Sequence, residues 1–267
     1  MPPTPESLPA SPASDGATEL ARLLRTEGRR ESAVVQVAIW IATGIVEGDL
    51  RPGQEVNSVD LARRFAVSRT PVREALMLLE SEGLVEIRAR RRPRVTSFTA
   101  ERIREIYFVR RHLLALVGEL MAQRVTDHDI AVLRRRLAGM RRSVTAGDVA
   151  GYFWGHVDWQ SQFLRIAGND TLRGILDSLA LRTLVLRYAS LGVEGRPAAS
   201  LALQERIFEA LTQRDGPLTA LLLVRSTEAA EAAIDVQALS EPWAPAATEV
   251  QVSTDIPVIA MDNRDIG

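Results

Sequence analysis

The sequence lacks several features that particular classes of protein need. It has no cysteine, which excludes disulfide bonds, a thiolate nucleophile and any zinc or iron–sulfur site with cysteine ligands. Its apolar runs are only a few residues long, as in Leu221 to Val224, whereas a membrane helix needs roughly 18–20 apolar residues. The first residues carry neither the basic nor the apolar part of a secretory signal. We therefore expect a cytoplasmic protein that does not enter a membrane.

Lysine is also absent, and the charge that is present is unevenly distributed. All 33 basic residues are arginine, against 34 acidic residues. Residues 20–99 contain 14 arginines and 10 acidic residues, whereas the segments 1–19 and 240–267 are net acidic. A concentration of arginine within one segment is the charge pattern of a surface that binds nucleic acid.

Composition and hydrophobic spacing divide the chain into four segments. Residues 1–19 are rich in Pro, Ser and Ala, so we predict a disordered tail. Residues 239–267 contain three prolines and no helical period, and we predict a loose tail there. Between the tails lie a first domain over 20–98 and a second over 99–238, where apolar spacing of three and four residues predicts helices. The helices predicted in the second domain are 99–125, 127–145, 148–167, 170–190, 198–213 and 216–237.

Residues 20–98 show the pattern of a winged helix-turn-helix domain. A helix over 32–46 is followed by a loop, by a short helix that Ser58 can cap and by a longer helix that Ser68 can cap. Two short strands are predicted at 84–88 and 94–98, around an arginine-rich tip. The predicted fold class is therefore mainly α, with an N-terminal winged helix-turn-helix domain followed by an all-α helical-bundle domain.

The Ser68-capped helix and the hairpin carry the candidate DNA contacts. The start of the second helix of a helix-turn-helix enters the major groove and must present polar side chains there. The polar residues at this end are Ser68, Arg69, Thr70 and Arg73. The arginines of the hairpin tip are Arg88, Arg90, Arg91, Arg92 and Arg94. Beside a phosphate backbone such a tip gives salt-dependent affinity; the alternative is a solvated surface on an ordinary helical hairpin.

The segment from LRPGQEV to RARRRPRV resembles the N-terminal domain of GntR-type bacterial transcription regulators. The shared motif, PG…LA…VSRTPVREAL…LE.EGLV, is long, and the likeness covers about residues 31–98. The resemblance implies that Ser68, Arg69, Thr70 and Arg73 contact operator DNA and that the wing arginines lie on the backbone or in the minor groove. The family usually has a glycine in the wing turn where this chain has Arg92 or Pro93.

Polar side chains on apolar helix faces predict a small-molecule pocket in the second domain. Arg110 falls within the apolar stripe of the helix 99–125, and His156 and Gln160 lie one turn apart among aromatic residues. Gln204 shares the stripe of the helix 198–213, and Arg182 is a candidate second cation that points inward. The alternative is that these are satisfied core polar residues and that Arg110 pairs with a protein acid or reaches out to solvent.

The second domain also resembles the FCD effector-binding domain of the FadR-like branch of this family. The likeness covers about residues 100–238 and includes AGN at 167–169 and the segment 203–226. Many members bind a divalent metal through one Asp and three His. The matching positions here are His156, Gln160, Gln204 and Ser226. Since glutamine and serine are poor ligands for transition metals, we expect no metal, and we expect no other cofactor. We also expect a small anionic effector, a carboxylate, held by Arg110.

The sequence therefore predicts a DNA-binding transcriptional regulator and not an enzyme. One recognition helix reads few base pairs, so we expect a homodimer on a two-fold symmetric operator of double-stranded DNA. The family favours repression over activation. Two alternatives stay open: an architectural DNA-binding protein without an effector, and an enzyme that uses His156 in the helical pocket.

Overall fold

The helices of the second domain lie close to their predicted ranges, whereas the wing and the two ends of the described chain differ from the prediction. The computed structural model describes residues 13–26, 28 and 32–240. The elements are α1 (Ala13–Leu23), α2 (Ala33–Val46), α3 (Ser58–Arg64), α4 (Arg69–Ser81), β1 (Val85–Glu86), β2 (Arg94–Val95), α5 (Ala100–Arg124), α6 (Asp127–Thr145), α7 (Val149–Ala167), α8 (Asp170–Leu191), α9 (Arg196–Thr212), α10 (Gly216–Ala232) and α11 (Val236–Ser240). The predicted mainly α fold is confirmed.

The winged domain, residues 33–98, is built around the packing of α2 against α4. Residues Val72, Ala75, Leu76 and Leu79 form the buried face of α4. Ser58 was predicted to cap α3, but the cap is Asn57, whose side chain accepts a hydrogen bond from the Val59 amide at 3.0 Å. Ser68 is at the N-cap position of α4, although its side chain makes no capping hydrogen bond.

The wing is shorter than the predicted strands 84–88 and 94–98. The antiparallel ladder pairs only Val85 with Val95 and Glu86 with Arg94. Residues 53–56 contribute a further set of backbone contacts to β2, since the Val56 amide donates to the Pro93 carbonyl at 2.8 Å and the Val95 amide to the Gln54 carbonyl at 2.9 Å. The segment before α3 therefore pairs with the edge of β2 that faces away from β1.

Helix α1 corrects the prediction of a disordered segment over residues 1–19. Residues 13–19 belong to α1, which packs against α2, α7 and α8. Leu20 is fully buried, and Arg22 joins Asp177 of α8 at 2.9 Å. Residues 1–12 lie outside the described part of the chain. This segment has few large apolar residues. It is helical because Leu20 and Leu23, which come directly after it, are buried, and because small residues such as Gly16 fit against the ring of Trp154.

The second end of the chain also differs from its prediction. The helix predicted over 216–237 ends at Ala232, and α11 follows at Val236–Ser240. Leu239 is buried, and its carbonyl accepts a hydrogen bond from the Phe98 amide at 3.1 Å. The predicted loose tail of 239–267 therefore begins with two ordered residues, and 241–267 lie outside the described residues.

Helices α5 to α10 form the helical domain, residues 100–232, whose closest helix pair is α5 with α10. At their crossing Gly118 faces Ala220. A Cβ atom on Gly118 would lie 2.8 Å from the backbone nitrogen and Cα of Ala220. Since backbone atoms cannot rotate away, glycine is required for this close approach.

We expect Gly118→Ala to destabilise the protein by about 1–3 kcal/mol through overpacking between α5 and α10. The matched control is Gly174→Ala on α8, where an added Cβ meets nothing within 4 Å. That change should stabilise by up to about 1 kcal/mol, because alanine favours a helix over glycine. Urea unfolding of both variants measures the difference, and equal free energies of unfolding would refute the close approach.

Candidate functional site

The first candidate site is the exposed start of α4. Ser68, Arg69, Thr70 and Arg73 are all exposed, opposite the buried face that packs on α2. Neither Arg69 nor Arg73 forms an ion pair or side-chain hydrogen bond within the described residues. Two guanidinium groups thus project from one helix end with all their donors available to a partner.

The wing arginines divide into two groups by their partners. Arg88 pairs with Glu86 at 2.9 Å, and Glu55 receives both Arg94 at 2.8 Å and Arg92 at 3.6 Å. The hydrogen bond from Arg94, together with the charges of Arg94 and Arg92, holds the pKa of the Glu55 carboxyl below its usual range.

Arg90 and Arg91 have no acidic partner among the described residues. Arg90 has φ +61°, the left-handed turn conformation that glycine adopts readily. The residue that takes the glycine-like conformation is therefore Arg90 rather than Arg92 or Pro93, and this turn carries the two arginines without acidic partners at the tip of the wing.

The second candidate site is a small cavity inside the helical domain. It lies among α5, α7, α8, α9 and α10, and its volume is about 20 Å³, enough for about one water molecule. Its polar walls include Arg110, His156, Gln160, Arg187, Arg196 and Ser226. Four of these six were predicted from the sequence as pocket residues, and the structure brings them together.

A chain of polar contacts crosses this cavity. Arg110 donates from Nη2 to Gln160 Oε1 at 2.8 Å, and Gln160 Nε2 lies 3.4 Å from His156 Nε2. On the other side of the imidazole, Arg187 Nη2 lies 3.4 Å from His156 Nδ1. Because a guanidinium can only donate, a hydrogen bond here requires Nδ1 to accept, as it does in the neutral imidazole. The ring proton is then on Nε2, and the Gln160 amide nitrogen, which is also a donor, makes a contact with it but no hydrogen bond.

Gln204 and Ser226 form a separate contact beside the cavity. Gln204 is fully buried, accepts from Trp159 Nε1 at 3.1 Å and donates to Ser226 Oγ at 3.0 Å. Gln204 therefore has partners on both ends of its amide, as a satisfied core residue does, while Ser226 reaches the cavity wall.

The cavity holds an excess of positive charge. Arg110 is 6% exposed and Arg187 8%, and neither forms an ion pair with an acid in the parts of the chain that the structure describes. Arg196 also lines the cavity, and its Nε is buried without a hydrogen-bond partner among the residues that the structure describes. A buried guanidinium without an ion pair is costly, since its hydration is lost. For Arg187 the charge of Glu19, which is too far away for an ion pair, offsets only part of that loss.

The electrostatic consequences appear in the titration of these groups. Burial lowers the pKa of Arg110, and burial together with the charge of Arg110 lowers the pKa of Arg187 to about 9. Burial, followed by the charges of Arg187 and Arg110, lowers the pKa of His156 well below 6.5. At neutral pH the cavity therefore contains charged guanidiniums around a neutral imidazole.

Arg182, predicted as the second cation, is not part of this cavity. Its Nε donates to the Glu82 carbonyl at 3.3 Å, at the end of α4. The prediction was wrong because it took the stripe of Ile175 as the inward face of α8, and Ile175 is 45% exposed. The buried stripe contains Leu184, Arg187 and Leu191 instead. The spacing of these three residues is the signal that could have identified Arg187.

Residues 34–95 match the family described as bacterial regulatory proteins, gntR family. Residues 105–233 match the family described as FCD domain.

The chain belongs to the GntR family and carries an FCD domain.

Related proteins agree with this assignment. The uncharacterized HTH-type transcriptional regulator YdhC of Bacillus subtilis is 35% identical over 39% of this chain and 46% of that protein, so the match spans about half of that relative's length. The HTH-type transcriptional repressor RspR of Escherichia coli is 27% identical over 64% of this chain and 75% of that protein. E. coli McbR/YncC has the same fold, with a TM-score of 0.64 and 21% identity over 74% of this chain and 94% of that one. This GntR chain is thus a transcriptional regulator and not an enzyme.

The metal site of many FCD domains does not fit the residues of this one. No group of three or more His, Cys, Asp and Glu residues that could hold a metal occurs in the described residues. The one imidazole of the cavity, His156, has Nδ1 facing the Arg187 guanidinium. A divalent cation would have to displace that guanidinium and sit beside Arg110, so both ligand supply and charge oppose it.

The GntR regulator also has no helix, within the ranges described, that is long and apolar enough to cross a membrane.

Proposed function

We propose that this regulator is a repressor that binds a two-fold symmetric operator as a homodimer and that a small anion in the FCD cavity changes its affinity for DNA. The observation that carries the proposal is the pair of buried guanidiniums that have no acidic partner among the described residues, since it predicts a ligand of negative charge. A relative named as a repressor, RspR, supports the sign of regulation.

The start of α4 is the element that reads bases in this proposal. Arg69 and Arg73 are exposed and unpaired in the described residues, and a guanidinium can pair bidentately with guanine O6 and N7. Ser68 and Thr70 bring hydroxyl groups to the same end, where they can hold phosphate oxygens.

The wing supplies backbone affinity. Arg90 and Arg91 lack acidic partners in the described residues and contribute most, whereas Arg88, Arg92 and Arg94 are partly neutralised by Glu86 and Glu55. The electrostatic contribution of the wing is therefore smaller than five arginines suggest.

The dimer that we propose uses the outer face of α5. Phe108 is 55% exposed, Val109 44% and Leu116 49%, and these positions lie on one side of the helix. Large apolar side chains in such a row favour burial against a second apolar surface. A second copy of the chain is the partner that a symmetric operator requires.

Helices α7 and α8 connect the cavity with the winged domain. His156 and Gln160 are on α7, which also sends Trp154 Nε1 to the Glu47 carboxylate at the end of α2, at 2.7 Å. Arg187 is on α8, which contacts the end of α4 through Arg182. Since these helices carry cavity residues and also contact the winged domain, we expect a ligand that shifts them to change the position of α4.

We expect Arg69→Ala and Arg73→Ala each to weaken operator binding by about 1–3 kcal/mol and to relax discrimination at guanine positions. The matched control is Arg135→Ala, an exposed arginine on α6 in the helical domain. The operator is first selected from a pool of random duplexes, and binding is then measured by fluorescence anisotropy.

Wild-type affinity in either variant would contradict the assigned contacts. An equal affinity of the wild type for every duplex in the pool would instead support an architectural DNA-binding protein.

Arg90→Ala should behave differently, with weaker binding to operator and unrelated DNA alike. Removal of one phosphate-binding side chain reduces the dependence of log K on log salt by about one unit of slope. The measurement is the salt dependence of anisotropy for both duplexes, with Arg88→Ala as the comparison because its guanidinium is already paired with Glu86. If the weakening is confined to one base position, the backbone role of Arg90 is wrong.

A further inference from the structure

The charges of the FCD cavity specify the kind of anion more closely. We propose that the cavity binds a small dicarboxylate without a metal ion, with Arg110 pairing one carboxylate and Arg187 the other. This inference rests on the proposed effector function, which it deepens.

Two buried positive charges of the cavity need compensation. Arg110 and Arg187 are both buried and both lack an acid partner in the described residues, and Arg196 lies beside them with a buried, unbonded Nε. A monocarboxylate would neutralise one guanidinium and leave the other buried and charged. A ligand with two negative charges offsets the desolvation cost of both guanidiniums. It therefore gains more binding free energy than two exposed ion pairs would give.

The two guanidiniums enter the cavity from different helices and contact different side chains. Arg110 comes from α5 and contacts Gln160, whereas Arg187 comes from α8 and contacts His156. Gln160 and His156 contact each other and stand between the two arginines. Two cations on opposite sides of a polar pair suit two anionic groups at the ends of one molecule, while a single phosphate places its charges at one centre.

Hydroxyl groups that can donate hydrogen bonds also line the cavity. Tyr107 Oη and Ser190 Oγ are buried without a partner in the described residues, and Ser190 and Tyr107 line the same cavity. Hydroxyl groups can donate to carboxylate oxygens that the guanidiniums leave free. The cavity thus has unbonded donors of its own and, among the described residues that line it, no carboxylate to accept from them.

The size of the cavity couples this ligand to movement. A volume of about 20 Å³ does not admit a dicarboxylate. Binding must therefore enlarge the cavity by moving helices that line it, and α8 is one of them. Helix α8 carries Arg182, whose contact with the Glu82 carbonyl reaches the end of α4, so the same movement is transmitted to the DNA-reading helix.

The test compares anions that differ only in the second carboxylate. Malonate, succinate and glutarate are titrated by calorimetry against propionate, butyrate and valerate, in chloride buffer with a metal chelator and after elemental analysis of the protein. We expect at least one dicarboxylate to bind about tenfold or more tightly than its monocarboxylate partner, as expected for one further charge-assisted contact. Arg110→Gln and Arg187→Gln should each remove that preference.

The matched control is Arg135→Gln, an exposed arginine on α6 outside the cavity, which should leave the preference unchanged. Circular dichroism establishes folding of each variant. Arg110→Lys and Arg187→Lys replace any glutamine variant that unfolds, and they should weaken the preference because lysine keeps the charge but not the paired donors. The comparison of the two ligand classes on the wild type requires no variant.

Three results would overturn the proposal: equal affinity for every matched pair, tighter binding of inorganic phosphate than of any dicarboxylate, or a requirement for added zinc. Operator binding without ligand is measured on the same samples. A wild type that binds its operator but shows no dicarboxylate preference refutes this inference alone. A wild type that prefers dicarboxylates but binds no duplex selectively refutes the proposed regulator function alone.

Discussion

The burial of two guanidinium groups that form no ion pair in the described part of the chain is the constraint on which the arrangement of the helical domain depends. Arg110 of α5 and Arg187 of α8 enter one interior from opposite sides. Arg110 donates to the amide of Gln160, and Arg187 lies against the neutral imidazole of His156 and over the ring of Phe153. Such a pair lowers the stability of the unliganded fold, since each group has lost its hydration. The domain therefore gains most when an anion enters, and this excess of charge links stability to ligand binding.

The same helices place this unfavourable charge next to the DNA-reading domain. Helix α8 bears Asp177, Arg182 and Arg187 on successive turns, and these contact α1, the end of α4 and the cavity respectively. Helix α7 adds the hydrogen bond from Trp154 to Glu47. A change in the spacing of α7 and α8 thus reaches the winged domain through side chains that already contact it. Helix α1 packs against α7, α8 and α2, so a movement of α7 and α8 relative to α2 also changes the contacts of α1.

Much of this organisation follows from the sequence because apolar spacing and turn residues determine it locally. The helices around Arg110, His156 and Gln160 were predicted with boundaries within a few residues, and the polar positions on their faces identified three walls of the cavity. The predictions failed where tertiary contacts decide. Helix α1 is ordered by its packing on α2, α7 and α8, and the choice between Arg182 and Arg187 depends on which face of α8 is covered. No local pattern indicates that Glu55 neutralises two arginines of the wing.

The titration of His156 tests the central electrostatic claim most directly. The groups that face it are Arg187 of α8, Arg110 of α5, Arg196 of α9 and Tyr152 of its own helix. Nuclear magnetic resonance can follow its Cε1 proton, assigned by disappearance of the signal in His156→Gln. With burial and these charges lowering its pKa, the signal should keep the position of a neutral imidazole as the pH falls through 6.5. Titration of His156 at the ordinary value would mean that the cavity does not contain the uncompensated guanidinium charge, and the account would be wrong.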